Sequence, residues 1–213
     1  ERHPVWKAQL HDGIADPAFS ADVGRRIARI HAYAAERPEI ASDFPTDSLF
    51  HAIRLEPYLI AAARVHQDLA SKLVALAART AATKVSLVHG DVSPKNILVG
   101  PKGPIFLDAE CAWWGDPAFD LAFCLNHLLL KCLWAPRAAS NFLQCFEVLA
   151  TAYLTSVAWE APAALEARAA SLLPGLFLAR GDGKSPVEYL TEEKDKDRVR
   201  RVARALLHCR PDR

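Results

Sequence analysis

The stretch LVHGDVSPKNILVG, residues 87–100, sets His89, Asp91 and Asn96 between apolar runs that read as buried strands. Burying such polar side chains without partners is costly, so they either staple a tight turn or stand where chemistry needs them. The flanking residues restrict what the chain can build around them. VSLV (85–88), NILVG (96–100) and IFLD (105–108) are short and β-leaning, and GPKGP (100–104) supplies a turn between the last two. A hairpin is therefore predicted, with the polar trio in the loop before its first strand and Asp108 at the end of its second. Strands this few and short form only a ribbon on a body of helices.

Helical periodicity fills the rest of the chain. Val23, Ile27, Ile30 and Ala34 share one face of 21–36, and Arg37-Pro38 stops the pattern. Residues 38–48 read as a loop, Pro57 opens a helix running to Val65, and Leu69, Leu73 and Leu76 align within 68–82. Beyond the hairpin, Asp116 suits an N-cap and Pro117 a first helical position. Further helices are expected at 137–158, at 162–180 with an interruption at Pro174, from the capping box SPVE (185–188), and in the charged run 192–207. The predicted fold class is mainly α with a small β-hairpin.

Composition removes several function classes. A length of 213 residues suits one domain or one large lobe, and a formal net charge of +1 provides no long-range field for nucleic acid or an anionic membrane. The five cysteines form an odd set without a CxxC pair, which fits a reducing cytoplasm. No secretory signal is visible; the longest apolar run, 121–134, is too short for a bilayer and carries Asn126, His127 and Lys131. It reads as a core helix. His31 and His127, in apolar helices, are expected to be packed and hydrogen-bonded, and Trp113 and Trp114 either pack or flank a pocket. GDGKSP (181–186) lacks the first glycine of a phosphate-binding loop, since Leu178 holds that position.

Three motifs in order carry the chemistry. HGDVSPKN (89–96), LDAE (107–110) and GDPAFDLA (115–122) resemble the signature of the aminoglycoside phosphotransferase and choline kinase superfamily, the small-molecule relatives of protein kinases. Phosphoryl transfer needs a carboxylate that takes the proton of the attacking hydroxyl and oxygen ligands for Mg²⁺. The resemblance implies that Asp91 is the catalytic base, that Asn96 and Asp108 hold Mg²⁺ with help from Glu110, and that Asp120 braces the loop backbone. His89 is expected to be an internal brace. Ser93 departs from the pattern: many members carry histidine there and protein kinases lysine, so Ser93 adds no positive charge, and Lys95 is the nearest cation in sequence.

The same resemblance implies a protein-kinase-like carboxyl-terminal lobe over residues 1–213, with a catalytic loop at 87–100, a metal-binding segment at 105–110 and a helical substrate-side subdomain from about 135 to 213. No G-x-G-x-x-G and no strand-rich segment with a lysine precede the first helix, and the chain starts at Glu1. The expectation is therefore that the nucleotide-binding amino-terminal lobe belongs to a parent chain and that this chain alone has little activity. The implied function is transfer of the γ-phosphate of ATP, or of another nucleoside triphosphate, to a hydroxyl of a small molecule in the cytoplasm. Nucleic acid and membrane are not expected partners. Protein phosphorylation is disfavoured, because DAE (108–110) stands where protein kinases carry DFG. The alternative is a non-catalytic, pseudokinase-like or truncated binding module on the same scaffold.

Overall fold

The computed structural model describes residues 3–209; the ends of the expected lobe, 1–2 and 210–213, lie outside the described residues. The chain is mainly helical. Helix α1 (Trp6–His11) is followed by α2 (Pro17–Ala35), which starts earlier than the apolar periodicity indicated because Asp16 caps it. The Asp16 carboxylate accepts from the Ala18 and Phe19 N–H groups at 2.8 and 3.2 Å, and Pro17 fits the first turn. Residues Pro38–Asp43, expected as loop, form a 3₁₀ turn.

The next helical stretch corrects the expected start at Pro57. Helix α3 (Asp47–Phe50) runs directly into a π-helical segment, His51–Ile60, and then into α4 (Ala61–Val65). In an α-helix Pro57 would lose its i→i−4 bond and press its ring on the carbonyl of residue 53, and the stretch around it is wound as the wider π-helix. Helix α5 (Ala70–Ala82) matches its predicted stripe.

Strands β1 (Ser86–Val88) and β2 (Ile97–Gly100) lie where expected, and β2 forms the antiparallel hairpin with β3 (Gly103–Phe106), Ile97 opposite Phe106. Strand β3 stands two residues earlier than the expected 105–108, because Gly100 pairs with Gly103 across a turn of only Pro101 and Lys102, so Asp108 follows the strand and does not end it. A fourth strand, β4 (Trp113–Gly115), pairs antiparallel with β1. Residues 4 and 5 lie along the hairpin: Val99 N–H donates to Pro4 O at 2.8 Å, and Val5 bridges Leu98.

Helix α6 (Ala118–Trp134) is buried along most of its length and forms the axis of the core. Around it pack α7 (Ala139–Leu154) and α8 (Pro162–Asp182). Pro174 lies within α8 without ending it, a second correction. Helix α2 crosses α7 so closely that a Cβ on Gly24 would stand 2.4 Å from Leu149 O. Helix α9 (Glu193–His208) covers α8 with Val199, Ala203 and Leu207. The capping box at 185–188 starts no helix: Arg180 Nη1 takes the Ser185 carbonyl and hydroxyl, and Lys7 takes Glu188, so neither end of the box is free to cap. Cys111, Cys124 and Cys145 are buried free thiols. Among the described residues no single helix is long and apolar enough to cross a membrane.

Candidate active site

Strand β1 delivers His89 and then Gly90, whose φ of +79° lies in the region glycine alone enters freely. A side chain there would also strike the Cys111 carbonyl and thiol, each 2.9 Å from the position of a Cβ. The bend is fixed from below by Asp120 in the first turn of α6. Its Oδ2 accepts from His89 N–H at 2.7 Å and its Oδ1 from Gly90 N–H at 2.9 Å. His31 from α2 meets Oδ2 at 3.2 Å through Nε2, and its Nδ1 meets the Tyr153 hydroxyl at 2.7 Å. Burial pushes the Asp120 carboxyl up, but the hydrogen bond and charge of His31 and the His89 backbone donor together hold it below its usual range.

His89 has both ring nitrogens engaged. Nε2 donates to Leu107 O at 3.1 Å, and Nδ1 accepts from Asp91 N–H at 3.2 Å. That pair of roles defines the neutral Nε2–H tautomer and ties the loop to the end of the hairpin.

Asp91 is 5 % exposed. Its Oδ2 meets Arg54 Nη2 and Lys95 Nζ, each at 3.1 Å, while Oδ1 has no partner among the described residues. Arg54 also donates through Nε to Gly90 O. Arg54 was missed in the sequence. It projects from the π-helical segment, and a proline seven residues into an apolar helix was the only signal that the turn there is irregular. π-turns concentrate at functional sites, where they re-aim a side chain.

Asn96 ends the short 3₁₀ turn 94–96. Its Nδ2 donates to Asp91 O at 3.1 Å, and its own carbonyl accepts from Leu107 N–H at 2.9 Å. The hairpin thus brings Asn96 beside the residue that precedes Asp108. Asp108 is exposed, has φ +64°, and makes no hydrogen bond or ion pair with any described residue. A non-glycine residue in that region stores strain, which is common at ligand-binding positions. Glu110 is exposed two residues further on. Among the described residues no three His, Cys, Asp or Glu side chains gather round one point.

The neighbouring groups are structural. Asp116 Oδ1 accepts from Ala118 N–H at 3.0 Å, as an N-cap does, and both of its oxygens accept from Arg168 Nε at 3.1 Å. Trp113 is buried and stacks on Phe50 at 4.0 Å. Ser93 is fully buried, and its hydroxyl finds no partner. His127 is packed as expected but not hydrogen-bonded: its Nε2 is buried and unpartnered.

A family model described as the phosphotransferase enzyme family (APH) matches residues 8–139, more than half of the chain. The chain belongs to the phosphotransferase enzyme family. This is the aminoglycoside phosphotransferase and choline kinase superfamily that the three motifs resemble, and the matched span runs from within α1 through residues 87–100 to the start of α7. A Klebsiella pneumoniae protein described as "Probable ketoamine kinase in tonB 3'region" is 45% identical over 42 residues, which is 20% of this chain and 33% of that relative. The chain therefore aligns with a third of the length of that phosphotransferase relative.

Proposed function

We propose that this chain is the protein-kinase-like catalytic lobe of an ATP-dependent phosphotransferase that moves the γ-phosphate to a hydroxyl of a small molecule. The observation that carries this is Asp91: a carboxylate held by Arg54 and Lys95 on one oxygen, with the other oxygen unpartnered. Oδ1 accepts the acceptor's hydroxyl proton as its oxygen attacks the γ-phosphorus and the bond to the β–γ bridging oxygen breaks. Lys95, on the same carboxylate, is the cation available where Ser93 brings none.

The residues present fit Mg²⁺. Asn96 spends its Nδ2 on Asp91 O, and among the described residues its Oδ1 has no partner and Asp108 is paired with no cation. Hard oxygen donors of this kind, few in number, suit an ion that keeps waters and takes phosphate oxygens as its other ligands. When bound, Mg²⁺ supplies charge neutralisation at the phosphates. Glu110 stands outside the hydrogen-bonded loop, in the place of the second acid of D-x-E members. The nucleotide's remaining contacts are assigned to an amino-terminal lobe of the parent protein.

The test follows ³¹P signals during incubation of the full-length parent with ATP, Mg²⁺ and a panel of hydroxylated amines, sugars and sugar acids. A phosphate ester is expected to appear with Mg²⁺, to vanish with a chelator, and to be lost in Asp108→Asn. Transfer that persists undiminished in chelator, or in the variant, contradicts the assignment.

A further inference from the structure

Beside the catalytic loop lies a small cavity, about 30 Å³, that the chemistry above does not use. It opens between the loop, α1, α6, α8 and the turn 186–190. Its lining includes Ser93, Lys95, His127, Lys131, Arg180 and Tyr189.

The polar groups here are unusual in being unanswered. The Ser93 hydroxyl, His127 Nε2, Arg180 Nε and the Tyr189 hydroxyl are all buried without a hydrogen-bond partner. Lys131 is 1 % exposed and has no carboxylate within ion-pair reach among the described residues. Its ammonium rests on the faces of Trp134 and Tyr189, 3.9 Å from each ring centroid, and those two rings stack on each other at 4.4 Å. Arg180 is fixed by Tyr58 and Ser185. The acid on the rim, Glu188, is already paired with Lys7. Buried polar groups ordinarily find partners, and an unpaired buried cation is costly. Three unanswered polar groups, of Ser93, His127 and Tyr189, line one space with two cations, Lys131 and Arg180, a composition suited to an anion.

The size of the space selects the anion. Room for about two water-sized probes admits a group of two or three heavy atoms, which fits a carboxylate and not a ring. Position selects its owner: Lys95 lines the cavity and also meets Asp91 Oδ2 at 3.1 Å, so a group seated here lies beside the proposed base. We infer that the cavity receives a carboxylate of the acceptor, so that the substrate is a hydroxylated acid whose acidic end is clamped by Lys131 and Arg180 while its hydroxyl faces Asp91. This rests on the phosphotransferase function proposed above and names its substrate class. The charge pattern agrees. Burial first, and then the charges of Arg180, Lys131, Lys95 and Lys7, drive His127 well below its usual range, which marks the space as electropositive.

Formate and inorganic phosphate serve as probes, with no nucleotide present, and the readout is the NMR signal of the Lys131 side chain, assigned by its loss in Lys131→Met. Millimolar formate is expected to shift that signal saturably and to raise the lysine's titration midpoint. Phosphate is expected to act only at higher concentration, and Arg180→Gln to weaken the formate effect. An unmoved Lys131 signal, or saturation by phosphate before formate, overturns the inference. In the transfer assay, hydroxy acids are expected to exceed their neutral counterparts in kcat/KM by at least about tenfold. Lys131→Met is expected to erase that preference through KM and not kcat. If no acceptor is phosphorylated, the kinase function fails while the formate result still decides the site.

Discussion

Asp91 illustrates how much of this site is built by partners rather than by the residue itself. Its carboxylate would be a costly buried charge without Arg54 and Lys95, and Arg54 also holds the Gly90 carbonyl. Arg54→Gln is therefore expected to lower stability by roughly 3 kcal/mol in chemical denaturation, since one partner of a buried pair is removed. It is also expected to reduce kcat by about 100-fold as the base loses its orientation. Wild-type kcat in a folded Arg54→Gln protein would show that the pair does no positioning. The motif spacing made the bracing contacts of Asp120 legible and placed Asp91, Asn96 and Asp108 about one hairpin, because these positions are close together in the chain or joined by that hairpin. Arg54 and His31 were not legible as parts of this site. Each reaches it from a separate helix, and nothing local in their sequence says which side chain they will meet.

Elements were readable where periodicity is pure and obscure where one interaction overrides propensity. The first hairpin strand and α5 follow their patterns closely, while the second strand begins two residues early because the turn is tighter than GPKGP suggested. The π-helical segment does not, because Pro57 normally marks a helix start, and only the wider turn lets the helix begin at Asp47. The failed capping box at 185–188 has the same character: its serine and glutamate were taken by Arg180 and Lys7 from elsewhere. Close packing of α2 on α7 holds His31 under the loop through Tyr153, and Gly24 permits that approach. Gly24→Ala is expected to destabilise the protein by about 1–3 kcal/mol despite the better helix propensity of alanine, because backbone must move. A stabilised variant in a thermal melt would show that the two helices can separate without cost.

For the whole molecule, two buried groups of opposite sign shape the dependence of stability on pH. Asp120 is held below the ordinary carboxylate range, so its contribution is full above the unfolded value, about 4, and is lost as pH falls through its lower folded value. Lys131 is lowered to about 7, chiefly by burial. Its folded form sheds a proton that the unfolded chain keeps, so the cost of its burial is full below about 7 and is relieved as pH rises toward its ordinary value. Denaturation at a series of pH values should show stability rising across that alkaline window, and Lys131→Met should flatten the rise while stabilising the protein at neutral pH. An unchanged slope in that variant would remove Lys131 as its source. The central claim remains the proposed base at the loop, and phosphate transfer by the full-length protein with Asp91→Asn tests it most directly. The account predicts a fall in kcat of at least about 10²-fold with the fold and Mg²⁺-nucleotide binding retained; transfer at the wild-type rate would contradict it.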